Sequence, residues 1–274
     1  GFNGTETALV QEAKRLIGEL PTLLADYRTE KTVSKKISKV GTATTRATYT
    51  IGKDDASKLG EALAGAAQEE RVKAFLQSLT FSKKQVLTVF TDKNGEVLRF
   101  TYEGQLGVGE NTQRKVTLEW NMKDDGETAR DTLTLKSPAV SGSDKDSLTW
   151  TRVVTATKAK RTLEASFTYT TVRSKVKTIL EGKADLSNKF EQKDSALTGD
   201  AWIKRTDNDG DTETWLAKPD LTLALAEDAP AANGTVQFTH KENKRTVQDA
   251  KVTLTLEAGT GFNWETRSAQ TDLT

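Results

Sequence analysis

The sequence predicts an α+β fold dominated by β structure: a large, curved, mostly meandering antiparallel sheet of about ten to thirteen strands. The sheet would be half-barrel or sandwich-like, with two N-terminal helices packed on its apolar face. Three observations carry this expectation. Apolar residues recur at helical spacing only before about residue 80. From there to about residue 257 they alternate with polar ones, and Asn-Gly and Asp-Gly pairs punctuate the alternation. The hydrophobic content is 35% over 274 residues and the mean hydropathy is −0.59. Such values suit strands that are dry on one face and wet on the other. Disorder fits badly, because there are only 4 prolines and the alternation is regular.

The elements follow in order. Residues 5–29 read as a helix, with Leu9, Ala13, Leu16, Ile17, Leu20, Leu23, Leu24 and Tyr27 on one stripe. Pro21 lacks the N–H a helix interior needs, which predicts a kink or a second short helix starting there. Val33 and Ile37, then Ala43, Ala47, Tyr49 and Ile51, give strand pattern with a turn or bulge at Gly41. Residues 54–79 predict the second helix, capped by Asp54 or Asp55. Its buried face would hold Leu59, Leu63, Ala66, Ala67, Phe75, Leu76 and Leu79, and its alanine-rich middle allows close approach to the sheet.

Hairpin registers come next. A turn at Asn94-Gly95 pairs Val89 with Phe100 and Leu87 with Tyr102 on one face. It pairs Phe90 with Arg99, Thr88 with Thr101 and Val86 with Glu103 on the other. A turn at Asp125-Gly126 sets Val116 against Leu135, Leu118 against Leu133 and Met122 against Ala129. A turn near Lys158-Ala159 sets Leu148 against Tyr169, Trp150 against Phe167 and Val154 against Leu163. A slip of one residue would put each apolar set on the wrong face, so agreement among the three registers is informative. Further strands are expected over about 174–186, 195–206, 212–217, 220–226, 234–241 and 245–257, with a loop over 227–234. The expected organisation is an N-terminal helical segment, 1–30, and a single β-rich domain, 31–274, carrying the inserted helix at 54–79. A boundary near 188–194 is the alternative.

The stretch TDNDGDTETW, 206–215, resembles a calcium loop at first sight, since Asp207, Asp209 and Asp211 fall at positions 1, 3 and 5. Position 6 is then Thr212 instead of Gly, and position 12 is Lys218 instead of Glu, so a turn is the expectation. Asp209-Gly210 at the tip brings Ile203 opposite Leu216. Asn208-Asp209 there brings Trp202 opposite Trp215 and Lys204 opposite Glu213. Both registers stay open.

Little catalytic chemistry is visible. The charge is +1 from 40 basic and 39 acidic residues, which gives no footprint for nucleic acid. Lys31, Lys35, Lys36 and Lys39 read as a solvated strand face. There is no cysteine, and His240 is the single histidine, which removes thiolate and two-histidine zinc motifs. His240 reads as a solvated strand-end residue. No GxSxG elbow or Walker A loop occurs. GQLGVGEN, 104–111, precedes a strand instead of a helix and reads as a flexible loop, not a phosphate cradle. Two carboxylates could still make a glycosidase. The expectation is no enzyme, no catalytic residue, no cofactor and no metal.

Five tryptophans remain. Trp120 and Trp150 fall in phase with the apolar faces and read as core. Trp202, Trp215 and Trp264 are candidate ligand-binding residues, and a paired Trp202 and Trp215 could stack on a sugar ring. Two helices cannot cover so large a sheet, so the remaining apolar area must close on itself, stack as a second layer or line a cavity.

The order of elements is similar to that of bacterial envelope lipoproteins with half-barrel sheets, such as lipoprotein carriers. The resemblance is one of element order and fold, and no motif or residue is carried over. It implies an extracytoplasmic or cell-surface setting, with an anchor, signal or lipid attachment upstream of Gly1. Absence of cysteine is compatible with export. Asn3-Gly4-Thr5 and Asn233-Gly234-Thr235 are glycosylation sequons that matter only in a eukaryotic secretory pathway. The functional expectation is a non-enzymatic structural or binding domain of the cell envelope. The alternatives are a carrier of a lipid or other apolar ligand, and a carbohydrate-binding module. Partners would be an envelope component, a lipid or a glycan.

Overall fold

The computed structural model describes residues 8–108, 113–191, 194–224 and 231–256. Three helices lie near the start: α1 (Ala8–Leu23), α2 (Ala56–Ala66) and α3 (Glu70–Gln77). Thirteen strands of one antiparallel sheet follow one another in space in chain order. They are β1 (Arg28–Ile37), β2 (Gly41–Ile51), β3 (Leu79–Thr91), β4 (Val97–Val108), β5 (Gln113–Asp124), β6 (Thr128–Pro138) and β7 (Lys145–Ala156). The others are β8 (Lys160–Arg173), β9 (Val176–Glu191), β10 (Asp194–Thr206), β11 (Thr212–Ala224), β12 (Ala231–Glu242) and β13 (Arg245–Leu256). The β-dominated antiparallel meander is as the sequence predicts. The chain divides into two compact units. The first comprises the described parts of Gly1–Lys123, Arg130–Thr149 and Val172–Lys175, and the second those of Asp124–Ala129, Trp150–Thr171 and Val176–Thr274.

In the first unit the alternation of apolar residues becomes rows across strands. Ala47, Val89, Phe100 and Trp120 are successive cross-strand partners, and so are Tyr49, Leu87, Tyr102 and Leu118. One position along, Thr48, Thr88, Thr101 and Glu119 face the other way. Ile17, Leu20 and Leu24 from the first helical segment and Leu59 of α2 join the first two rows in one buried cluster. Covering such a face stabilises by about 25 cal/mol per Å2 of apolar surface removed from water.

The predicted β3–β4 register is met at all five pairs. The turn is a different one. Asp92 N–H bonds to the Glu96 carbonyl (3.0 Å) and Gly95 N–H to the Asp92 carbonyl (3.2 Å), with Gly95 at φ +85°. This is a three-residue turn with a glycine bulge. A register shift at Phe90/Thr91 absorbs the extra residue, which is why the two-residue assumption still gave the right pairs.

The helices depart from expectation in three places. Helix α1 continues through Pro21 to Leu23, so no second helix starts there, and a 3-10 turn (Ala25–Tyr27) follows. Pro21 sits in the last turn, where few helical bonds remain to be lost. The helix predicted over 54–79 is two helices with an extended break after Ala66, and Leu79 opens β3. The break disrupts the periodicity that placed Phe75 inside, and Phe75 is exposed.

The buried carboxylate of Glu12 explains why the break is tolerated. It accepts from Arg15 Nε and Nη2 (2.7 Å each) and from the backbone N–H groups of Gln68 and Glu69, which the break leaves free. Arg15 also donates to the Ala66 carbonyl (2.6 Å) at the end of α2. Glu69 then caps α3 by accepting from Val72 N–H (2.9 Å).

A second polar hub fills a bulge in β3, where Lys83 is at φ +63°. The amide of the buried Gln85 donates to the carbonyls of Ser82 (2.5 Å) and Gln105 (3.0 Å), and its oxygen accepts from the Tyr102 hydroxyl (2.5 Å). Gly104 passes under this group. A Cβ there would lie 2.0 Å from Gln85 Oε1 and 2.6 Å from the Tyr102 oxygen. Gly104–Val108 belong to β4, with Gln105, Leu106 and Gly107 paired on both sides, and not to the loop that the glycine content suggested. Residues 109–112 lie outside the described residues.

Two predictions follow from these hubs. Hydrogen bonds from Arg15, opposed by burial and reinforced by the backbone N–H of Gln68 and Glu69, lower the Glu12 pKa from 4.5 to about 2. A depressed carboxylate pKa adds stability that is complete above the unfolded value and is lost as pH falls through the folded one. In urea unfolding, the Glu12→Gln variant is expected to lose about 1–3 kcal/mol at neutral pH. It should also show a shallower loss than the wild type between pH 4.5 and about 2; parallel pH profiles would refute the assignment. Gly104→Ala is expected to cost about 1–3 kcal/mol through overpacking, read as a lowered thermal midpoint, and an unchanged midpoint would show that Gln85 can move away.

Candidate functional site

The second unit contains strand pairs with the same two-face logic but no helix among the described residues. Gly182, Ile203, Trp215, His240 and Gln248 are successive partners across β9 to β13. Two positions along each strand, Ala184, Ala201, Ala217, Phe238 and Ala250 form the neighbouring row on the same face. The intervening row is Lys183, Trp202, Leu216, Thr239 and Asp249, on the opposite face. That face is mostly polar: the Thr239 hydroxyl donates to Asp249 (2.8 Å), and Lys204 pairs with Glu181 (2.7 Å).

The apolar face is open. Ile203 is 45% exposed, Trp215 43% and Phe238 47%. Small residues make a floor and large ones make walls around a groove of about 420 Å3, bordered by Trp150, Phe167, Ile203, Trp215 and Phe238. Its floor is Ala165, Gly182, Ala184, Ala201 and Ala217. The Phe167 ring lies against Gly182 so closely that a Cβ there would be 2.2 Å from Phe167 Cε1. The polar residues that border it, Ser166 and Lys183, alternate with groove residues along β8 and β9 and so turn their side chains to the opposite face. The Thr151 and Ser166 hydroxyls are 2.7 Å apart, at positions that the predicted turn near Lys158-Ala159 brings opposite each other.

Trp202 and Trp215, which one of the two open registers would pair, do not meet. Trp202 faces Leu216 and Trp215 faces Ile203, so neither register left open by the sequence is the one adopted. The reason is again a three-residue turn. Asp207 N–H bonds to the Asp211 carbonyl (3.0 Å) and Gly210 N–H to the Asp207 carbonyl (3.3 Å), with Gly210 at φ +89°. One extra turn residue shifts the pairing by one and sends Trp202 to the opposite face. Trp202 borders the groove as the chain neighbour of Ala201 and Ile203. Trp120 is buried as expected, bonded to Asp131 (3.1 Å). Trp150 is not core: it edges the groove, with the Arg152 guanidinium 5.8 Å from its ring centre. Trp264 lies outside the described residues.

The strands expected over 212–217 and 220–226 are one strand, β11, which runs through Pro219. The β10–β11 pairing skips from Thr198–Asp220 to Ala201–Ala217, leaving the position without an N–H unused. Gly199, at φ +140°, lies where a Cβ would be 2.1 Å from the Asp185 carbonyl oxygen. Ala231–Gly234, read as loop, begin β12.

The TDNDGD carboxylates serve the turn. Asp207 accepts from the backbone N–H of Asp209 (3.1 Å) and Asp211 (3.0 Å), and Asp211 accepts from Asn243 Nδ2 (3.0 Å). Beyond it, Glu213 is the direct partner of Glu242, and their face continues to Trp215 and His240. The imidazole stacks on the Trp215 indole, centres 5.2 Å apart and planes 3° from parallel. Ligand atoms of Glu213, His240 and Glu242 lie within 4.8 Å of one another. The sequence reading missed this cluster, since only the β11–β12 register brings residues nearly thirty positions apart together.

Scans against family models, curated proteins and solved structures found no match to this chain. For the turn, Asp207→Ala is expected to cost about 0.5–2 kcal/mol, the range of a lost side-chain cap on free backbone N–H groups. Asp209→Ala, whose carboxylate makes no such bond, should cost less; equal losses in chemical denaturation would contradict the assigned role of Asp207.

Proposed function

We propose that this chain is a non-enzymatic binding protein that carries an elongated apolar ligand, of the acyl-chain class, in the groove of its second unit. The observation that carries the reading is the alanine-floored, aromatic-walled apolar face between Trp150 and Phe238. Sites for small ligands are concave, mostly apolar and about 300–1,000 Å3 in volume, and the groove of about 420 Å3 falls within that range. A sugar would need several hydrogen-bonding groups around its hydroxyls, and the lining offers few, so the apolar ligand is preferred to a glycan. A half-barrel curvature of the sheet around the ligand, with the helices packed on its apolar face, is part of the same proposal. So is an extracytoplasmic setting with an anchor upstream, where such a ligand would be met in the cell envelope.

The first measurement is native mass spectrometry of the purified protein, with organic extraction of any adduct. The second is titration with a fluorescent fatty acid. Ala217→Trp, which fills the floor, is expected to weaken binding at least tenfold, a change of about 1.4 kcal/mol. Trp202→Ala, on the opposite face, should change it little. A clean mass together with titrations that superimpose for wild type and Ala217→Trp would sink the proposal.

A further inference from the structure

The chain's single histidine has a setting that a solvated strand-end residue does not need. Stacking on Trp215 fixes the plane of its ring, and its Nε2 is a buried atom with no hydrogen-bond partner. Glu213 and Glu242 stand directly opposite each other on β11 and β12. Like charges in that position destabilise a sheet. Arg205 and Arg245 occupy the outer positions of the same row, but the Arg205 guanidinium is 3.8 Å from Glu213, at the long limit of an ion pair. Among the described residues, this is the one group of three His, Asp or Glu ligand atoms close enough to share an ion.

We propose that Glu213, His240 and Glu242 bind a divalent transition-metal ion of the zinc type, with three protein ligands and an open coordination position. Imidazole with carboxylates suits zinc and its first-row neighbours, whereas calcium and magnesium prefer oxygen ligands alone. Bonds of about 2.0–2.2 Å place tetrahedral ligand atoms roughly 3.5 Å apart, so atoms now within 4.8 Å of one another need to draw together by at most about 1.3 Å. The Glu213 side chain is 41% exposed and Glu242 is exposed, so both have room to do so. The stacked indole of Trp215 holds the imidazole in place, as outer contacts do for metal-bound histidines. The cation offsets the repulsion between the two carboxylates. The site is independent of what fills the groove, although Trp215 belongs to both.

The test uses the full chain, freed of metal with a chelator and titrated with zinc chloride. One histidine means one set of imidazole proton resonances, so NMR reads His240 without assignment work. Saturable one-to-one binding that shifts those resonances is expected. His240→Ala and Glu213→Gln should each weaken binding at least tenfold, Glu242→Gln less, and excess calcium should not displace the zinc. The far-ultraviolet spectrum and thermal midpoint of each metal-free variant show that it is folded, and the wild-type resonance shift stands without any variant. Non-saturating binding, unmoved resonances, or affinity unchanged in His240→Ala would each mean an adventitious ion only, and would overturn the proposal.

Discussion

A β-strand turns alternate side chains to opposite faces, and the apolar face so made has to be removed from water. Among the described residues that requirement is met in one unit and left open in the other. In the first, Leu20, Leu24 and Leu59 complete a cluster in which Tyr49 and Ile51 are fully buried. In the second, the corresponding rows keep Ile203, Trp215 and Phe238 more than two-fifths exposed. The covered face accounts for the fold, and the open face is where a function has room to reside.

Polar groups inside the first unit show what a covered sheet demands. Glu12, Gln85 and Asp131 are buried, and each is satisfied by specific partners: Arg15 and two backbone amides, three backbone carbonyls with Tyr102, and Trp120 with Lys14. Such groups specify one arrangement, because each would cost far more unsatisfied than it contributes when bonded. Buried polar atoms without a hydrogen-bond partner occur in both units: Arg46 Nε and the Tyr49 hydroxyl in the first, and Ser187 Oγ, Asn188 Oδ1, Ser195 Oγ and His240 Nε2 in the second.

The groove and the histidine cluster share Trp215, which gives one face to apolar space and holds the His240 ring with its own. The position arises from strand pairing. Ile203 and His240 flank Trp215 in one row, and Ala217 lies two residues on, so wall, floor and cluster are set by one register. A slip of one residue in β11 would exchange Trp215 for Leu216 and dismantle both features together.

The sequence by itself determined the β-dominated meander, the α1 stripe and the β3–β4 pairing, because periodicity and turn chemistry are local and each residue reports its own face. It also showed that two helical segments are too few for so many strands. Three-residue turns at Asp92–Glu96 and Asp207–Asp211 lay beyond that reading, since Asn-Gly and Asp-Gly pairs occur in two- and three-residue turns alike. At β3–β4 a bulge cancels the extra residue, and at β10–β11 it shifts the register, so Trp202 and Trp215, which one of the two open registers would pair, lie on opposite faces in the molecule. The break between α2 and α3 depends on Glu12, more than fifty residues away, and the Glu213–His240–Glu242 cluster depends on two strands choosing one alignment. Those features were decided by the tertiary structure, because contacts between residues distant in sequence are fixed by packing and register, which no local window of residues contains.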